Sequence, residues 1–299
     1  MITRSSLKHL RIPFSLFLLP VFLFALAFTP NLNEERLLLV FMILHLFLYP
    51  SSNGYNSYFD KDEKSIGGIK NPPKVTKDLY WLSLVFFMIA IVLSIKINLA
   101  FASMVTLYGL VSMAYSHPLV RIKKYPWLSW LIAGLFQGYF TFGMAYAGLS
   151  DFGWDILFKS HVMIPGLLTS LMLWANYPLT QVYQHEEDAK RNDLTLSRKL
   201  GIIGTFGFSA SFFLLTAAGF AWFFLSKNQE NILWVYLASM LPVVLYFLIW
   251  FYFVKRNPEK YANYSWAMGM NTISAVLLNG FFIYYFLENT QIMQVLGAY

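Results

Sequence analysis

The chain has 299 residues, of which 58% are hydrophobic and only 12% charged, a balance that no water-soluble domain of this length can bury, so the protein is expected to be integral to a membrane. Its formal charge of +7 is explained by basic loops lying against anionic lipid headgroups and is not a nucleic-acid signal. Cysteine is absent, which excludes disulfides, thiolate metal sites and cysteine nucleophiles.

Apolar stretches long enough to cross about 30 Å of hydrocarbon as helix fall, in chain order, at 13–28, 37–58, 79–95, 99–116, 127–149, 162–183, 202–225, 232–253 and 264–287. Nine spans are predicted. The basic start and the small residues Ala25 and Ala27 also suit a cleaved leader, but the first stretch is expected to stay as a helix of the bundle. Loop charge tests the segmentation independently, because Lys and Arg in short loops stay on the cytoplasmic side. Of 22 basic residues, 18 fall before the first span or after the second, fourth, sixth and eighth, and only Arg36, Lys96, Lys159 and Lys227 fall on the other side. The expectation is a multi-pass protein of a bacterial inner membrane, its N-terminus cytoplasmic and its C-terminus outside.

Two acidic segments interrupt the hydrocarbon pattern, one running from Asn56 through Asp60, Asp62 and Glu63, the other from Gln184 through Glu186, Glu187 and Asp188. Four spans separate them, so they meet the same membrane face. Spans two to four and six to eight, each followed by a basic loop ending in Pro126 or Pro258, read as two copies of one unit that would bring both acidic ends to a central cavity open to the cytoplasm. Helical spacing aligns Asn56 and Asp60 with Glu63 or Lys64 on one helix, and Gln184 with Glu187 and Asp188 on the other, while Asp62 points away. As ends of the second and sixth spans, both segments would sit at the negative pole of a helix dipole, where acids are unfavourable unless a cation arrives.

Oxygen donors without cysteine suit a hard ion, and Mg²⁺ is usually held by one or two carboxylates plus substrate phosphates. A diphosphate is then the natural ligand, with Lys70, Lys74, Arg121, Lys123 and Lys124 on the same membrane face to offset its charge and Asn56 and Lys64 as further diphosphate-binding candidates. The plainer alternative is that Asp62, Glu63, Glu186 and Glu187 merely pair with neighbouring lysines. Polar residues within the spans, His45, Gln137, Asn176 and Asn271, read as scattered helix–helix hydrogen bonds, which argues against a transport path.

These features together resemble the UbiA superfamily of intramembrane prenyltransferases. The resemblance rests on Arg11-Ile-Pro-Phe-Ser-Leu-Phe-Leu-Leu-Pro20, on Asn56-x-x-x-Asp60 with Ile66-Gly67-Gly68 downstream, on Tyr115-Ser116-His-Pro118 running into Arg121-Ile-Lys123-Lys124, and on Asp188 followed by Leu194-Thr195-Leu196-Ser-Arg198-Lys199-Leu200-Gly201. It implies an all-α bundle of about nine spans forming one domain over 1–299. It also implies Mg²⁺-dependent transfer of a prenyl group from its diphosphate to a small lipophilic acceptor, often aromatic or a quinone precursor. By the same resemblance Asp60 and Asp188 are the catalytic acids, and Asp60, Glu63, Gln184, Glu187 and Asp188 the metal-facing set. Tyr55, Tyr58, Trp174, Tyr177 and Tyr183 flank the acidic ends as candidate rings beside an allylic cation.

The chain departs from the family pattern in places that matter. Lys64 stands where the first motif has its last Asp, Gln184 where the second has its first, and Pro72 or Pro73 where the loop usually has Arg. Glu63 and Glu187 are the available substitutes. A relative that binds isoprenoid or quinone lipid without transfer, and a cyclase of isoprenoid diphosphates, are the competing readings.

Overall fold

The computed structural model describes residues 2–290 and 292. Among these, eight helices are long and apolar enough to cross a membrane. They are α1 (Arg4–Leu26), α2 (Glu34–Asp60), α3 (Asp78–Ile95), α4 (Leu99–Ser116), α6 (Ser160–Gln181), α8 (Leu196–Ser226), α9 (Glu230–Arg256) and α10 (Tyr264–Asn289). The expected fifth span is helical too. This α5, residues 126–150, runs through Pro126–Leu135, a wider π-type stretch Phe136–Phe140, and Thr141–Ser150. Every residue of Thr141–Ser150 is buried. Shielded from lipid by its neighbours, this segment carries Gly143, Tyr146, Gly148 and Ser150 in place of hydrocarbon side chains, and so stands apart from the eight.

Local chemistry sets where the helices begin. The side chains of Asn33, Asn98 and Asn263 accept hydrogen bonds from the backbone N–H groups of Arg36, Phe101 and Trp266, capping α2, α4 and α10. Such caps stabilise a helix by about 1 kcal/mol each. Pro126 starts α5 at a position where its missing N–H costs nothing.

An aromatic cluster joins α1, α5, α8 and α10 at the end of the bundle remote from the acids. Phe24 stacks on Phe282 at 4.5 Å between centroids and meets Phe142 edge-on at 5.4 Å, with Phe220 and Tyr285 completing the cluster. Asn289 donates to the Ala27 carbonyl at 2.7 Å on that side. Beyond this plug the interior widens into a cavity reaching the opposite face.

The two acidic segments leave their helices differently from the helix-face expectation. Lys61 adopts a left-handed conformation (φ 49°) that ends α2 at Asp60. The 3.6-residue period stops there, so Glu63 and Lys64 do not continue the Asn56–Asp60 face. In the second segment α6 ends in a tighter turn at Gln181, and a separate short helix, α7 (His185–Lys190), begins after Gln184. Glu186, Glu187 and Asp188 therefore occupy the first turn of a new helix, the dipole end that favours acids, and not the C-terminal end of the sixth span.

Candidate active site

Both acidic segments reach the mouth of one cavity of about 880 Å³. Its deeper wall is apolar, with Val21, Phe213, Met240, Phe247 and Leu278 among the lining residues. Leu214, Leu241 and Leu248 line it yet are 72%, 56% and 54% exposed, so the wall between α8 and α9 opens sideways toward lipid. Gln137, Asn176 and Asn271, which the sequence left scattered, converge on this cavity, and Asn176 donates to Asn271 at 2.9 Å. Of the candidate rings, Tyr177 and Tyr183 line it; Tyr55, Tyr58 and Trp174 do not.

At the mouth, acids and bases are interleaved. Lys123, itself buried, donates to Asp60, and Arg121 approaches the same carboxylate at 3.6 Å. Arg121 forks onto Asp193 through two hydrogen bonds of 2.7 and 2.9 Å, while Lys123 lies 3.5 Å from Asp193. Arg191 ties the two segments together. Its guanidinium donates to Asp62, to Asp188 at 3.0 Å, to Asp193 at 3.4 Å and to the Asp60 carbonyl at 3.4 Å. Thr195 donates to the second oxygen of Asp188 at 3.2 Å. Arg11, in a left-handed conformation before Pro13, reaches the carbonyls of Gly67 and Asn53 at 3.2 and 3.1 Å and pins the loop after α2 against the mouth.

Burial governs the charges. It pushes the Asp62 carboxyl up, Asp60 adding to the shift against Arg191, and it lifts Asp188 to about 6 despite Lys123 and Arg191. Burial acts in the same direction on Asp193, but the Arg121 hydrogen bond and the charges of Lys123, Arg121 and Arg191 outweigh it and hold Asp193 below the usual carboxylate range. Arg191 loses solvation too, yet the charges of Asp62 and Asp60 and its hydrogen bond to Asp62 outweigh that loss and hold the guanidinium more firmly protonated than usual.

The candidate residues divide into two groups. Asn56, Asp60, Lys123, Gln184 and Asp188 line the cavity. Arg121 stands behind them, holding Asp193. Lys64 is exposed and pairs with Glu186, Glu63 and Lys70 are exposed and away from the cavity, and Lys124 lies over the Tyr125 ring at 5.0 Å. Glu187 is buried but faces Lys190 at 2.9 Å. Simple pairing with neighbouring lysines thus describes Glu186 and Glu187. Asp62, expected to point away, instead lines the cavity, because the turn at Lys61 reverses the chain beyond α2. The helix-face argument misassigned Glu63, Lys64 and Asp62 for this one reason. Sequence reasoning also treated Arg191 only as a topology marker and passed over Asp193. The available signal was the dense alternation of signs from Glu186 to Asp193.

The sequence profile of the UbiA prenyltransferase family matches residues 17–285. This chain belongs to the UbiA prenyltransferase family. Its fold matches a UbiA homolog from Archaeoglobus fulgidus bound to GPP and Mg²⁺, with TM-score 0.68 and 19% identity over 94% of this chain and 99% of that one. The same homolog bound to DMAPP and Mg²⁺ matches with TM-score 0.69 at 19% identity over the same shares, 94% and 99%. A structure of digeranylgeranylglyceryl phosphate synthase matches with TM-score 0.57 and 19% identity over 96% of this chain and 98% of that one. No curated protein sequence matches this UbiA family member.

Proposed function

We propose that this protein transfers a prenyl group from a prenyl diphosphate to a small lipophilic acceptor inside the membrane, with Mg²⁺, as one UbiA-like domain spanning 1–299. One observation carries the reading: both acidic segments, the buried Lys123 and the partly buried Arg191 meet at the mouth of an apolar cavity that opens sideways to lipid. A diphosphate suits the mouth, and a hydrocarbon chain suits the cavity. The solved relatives from Archaeoglobus fulgidus hold GPP or DMAPP with Mg²⁺, which supports the same ligands here.

The residues fit magnesium in a particular way. Asp60 and Asp188, with the amide oxygens of Asn56 and Gln184, are hard donors of the kind Mg²⁺ takes together with phosphate oxygens and water. Among the described residues no three acids or histidines are grouped as a ready-made metal site, and Asp60 and Asp188 already touch Lys123 and Arg191. The set therefore suits an ion arriving with its phosphate, not a preformed cage. When bound, magnesium draws charge from the diphosphate leaving group.

The rest follows from the chain's own residues. Lys123 and Arg191 offset diphosphate charge that the ion leaves over. The apolar wall excludes water while the allylic carbon–oxygen bond breaks and the diphosphate leaves with the bonding electrons. The acceptor's nucleophilic atom then closes on the allylic carbon and gives up a proton. Tyr177 and Tyr183 line the cavity beside the mouth, where their ring faces suit a developing cation. An aromatic or quinone-precursor acceptor would enter from the lipid side. The charge division of the loops supports an orientation with the mouth and N-terminus in the cytoplasm and the C-terminus outside, in a bacterial inner membrane.

The saturation of the cavity carboxylates by side-chain cations favours a second reading, a family member that binds isoprenoid diphosphate without transferring it. Purified protein in lipid, incubated with labelled geranyl and longer prenyl diphosphates with and without Mg²⁺, separates the two by mass spectrometry of the lipid extract. A Mg²⁺-dependent prenylated acceptor upholds transfer; a cyclic hydrocarbon or alcohol indicates a cyclase; unaltered bound diphosphate indicates the binding protein.

A further inference from the structure

Arg191 makes an unusual set of contacts for a loop residue. It bridges Asp62 from the first acidic segment to Asp188 from the second, reaches Asp193, and lies 3.8 Å from Glu187. Its side chain is 16% exposed and lines the cavity, so it sits between the two segments at the place where a ligand cation would need to be. Lys123 does the same for Asp60 and Asp193.

The charge balance shows what such contacts do. Four carboxylates (Asp60, Asp62, Asp188 and Asp193) face three directly paired cations (Arg121, Lys123 and Arg191), and Arg11 lines the same cavity, so the mouth is balanced with no cation to spare. A diphosphate arriving alone would bring its negative charges beside carboxylates that already hold the mouth's cations, and like charges at close range repel strongly where water is scarce. A divalent cation alone finds its carboxylates already bonded. Arriving together, the cation can take the carboxylates while the released side chains turn to the phosphates, and no buried charge is left without a partner.

We propose that Arg191 is a placeholder cation. In the unliganded protein it holds Asp188 and Asp62 together across the mouth, and on loading it yields Asp188 to the divalent ion and turns to the diphosphate. The proposal rests on reading the mouth as a metal–diphosphate site. Its consequence is a binding order: metal alone binds weakly, diphosphate alone binds weakly, and each strengthens the other, a coupling that is reciprocal by thermodynamic necessity. A lysine at 191 would lack the separate guanidinium nitrogens that reach Asp62, Asp188 and Asp193 individually, so it would hold the mouth less firmly while still offering charge to phosphate.

The test measures Mn²⁺ binding by electron paramagnetic resonance in lipid nanodiscs, with and without geranyl S-thiolodiphosphate, an analogue that resists transfer. Wild type, Arg191→Gln and Arg191→Lys are compared, with thermal unfolding as the check on folding. Arg191→Gln should bind Mn²⁺ alone at least fivefold more tightly than wild type, because the competitor is gone, yet bind the analogue with Mn²⁺ about tenfold more weakly. Arg191→Lys should tighten Mn²⁺ alone by a smaller factor and keep most of the affinity for the analogue. The opposite signs are the signature, since a brace that is merely structural would weaken both. Should Arg191→Gln fail to fold, the lysine variant decides: unchanged or weaker Mn²⁺ binding in it overturns the proposal. If wild type binds the analogue with Mn²⁺ but Arg191→Gln shifts both affinities in one direction, the placeholder is refuted and the site reading stands. If wild type binds neither, the site reading itself fails and the proposal with it.

Discussion

Asp193 should be the costliest single charge to remove from the mouth. Its side chain is 1% exposed, and it takes two hydrogen bonds from the Arg121 fork at 2.7 and 2.9 Å. In Asp193→Asn one oxygen still accepts, but the other becomes an NH₂ group facing an Arg121 N–H, donor against donor. Lys123 keeps Asp60, and Arg191 keeps Asp62 and Asp188, so the loss falls on Arg121. That side chain, 15% exposed, retains one of its two bonds to residue 193, the Ser116 carbonyl at 3.3 Å and Asp60 at 3.6 Å. Breaking a buried pair from one side costs about 3–5 kcal/mol, and the remaining contacts put this case near 3 kcal/mol. At about 2 °C per kcal/mol for a chain this long, Tm should fall by roughly 6 °C. Tryptophan fluorescence during heating in lipid nanodiscs measures it. Because removing both partners leaves no orphan charge, Arg121→Met combined with Asp193→Asn should recover at least half of the loss. A shift within 1 °C, or a double variant whose loss equals the sum of the singles, would show that the pair is screened by water and that the interleaved network is not what holds the mouth together.

The mouth and the surface should respond differently to loss of a lysine: Lys123→Ala should weaken binding of inorganic diphosphate with Mg²⁺ about tenfold, roughly 1.4 kcal/mol. Lys64→Ala and Lys70→Ala, both away from the cavity, should stay within about twofold by calorimetry, since exposed pairs contribute little. Chelation of Mg²⁺ should abolish that diphosphate binding in wild type, and tight binding that survives chelation would contradict the metal reading. A Cβ at Gly138 would come within 2.5 Å of the Ser170 backbone, so Gly138→Ala should wedge α5 from α6 and cost about 1–3 kcal/mol. Gly280→Ala, with nothing within 4 Å, should leave Tm unchanged or slightly raised; equal effects at the two glycines would mean that the α5–α6 contact yields freely. Single cysteines at Ser65, Asn192 and Asn257 should all react with an impermeant maleimide from one side of the membrane, and labelling of any two from opposite sides would overturn the span count.

Membrane insertion is the property the sequence determines by itself, because transfer of a 20-residue stretch into hydrocarbon and retention of a basic loop depend on local composition alone. Eight of the nine expected spans meet that criterion in the structure, and the ninth, α5, is helical but enclosed by its neighbours. The motif residues Asn56, Asp60 and Asp188 were legible for a similar reason, as rare polar side chains where spans end. What only the tertiary structure decided is which charges face the cavity. One left-handed residue, Lys61, sends Asp62 inward and Glu63 and Lys64 outward, and a break after Gln181 gives Asp188 a helix of its own; both are chain reversals that helical periodicity cannot foresee. Arg191 is the clearest case, since its partner Asp62 lies 129 residues away, and a contact at that separation exists only once α2 and α7 have been brought to the same mouth by the packing of the whole bundle.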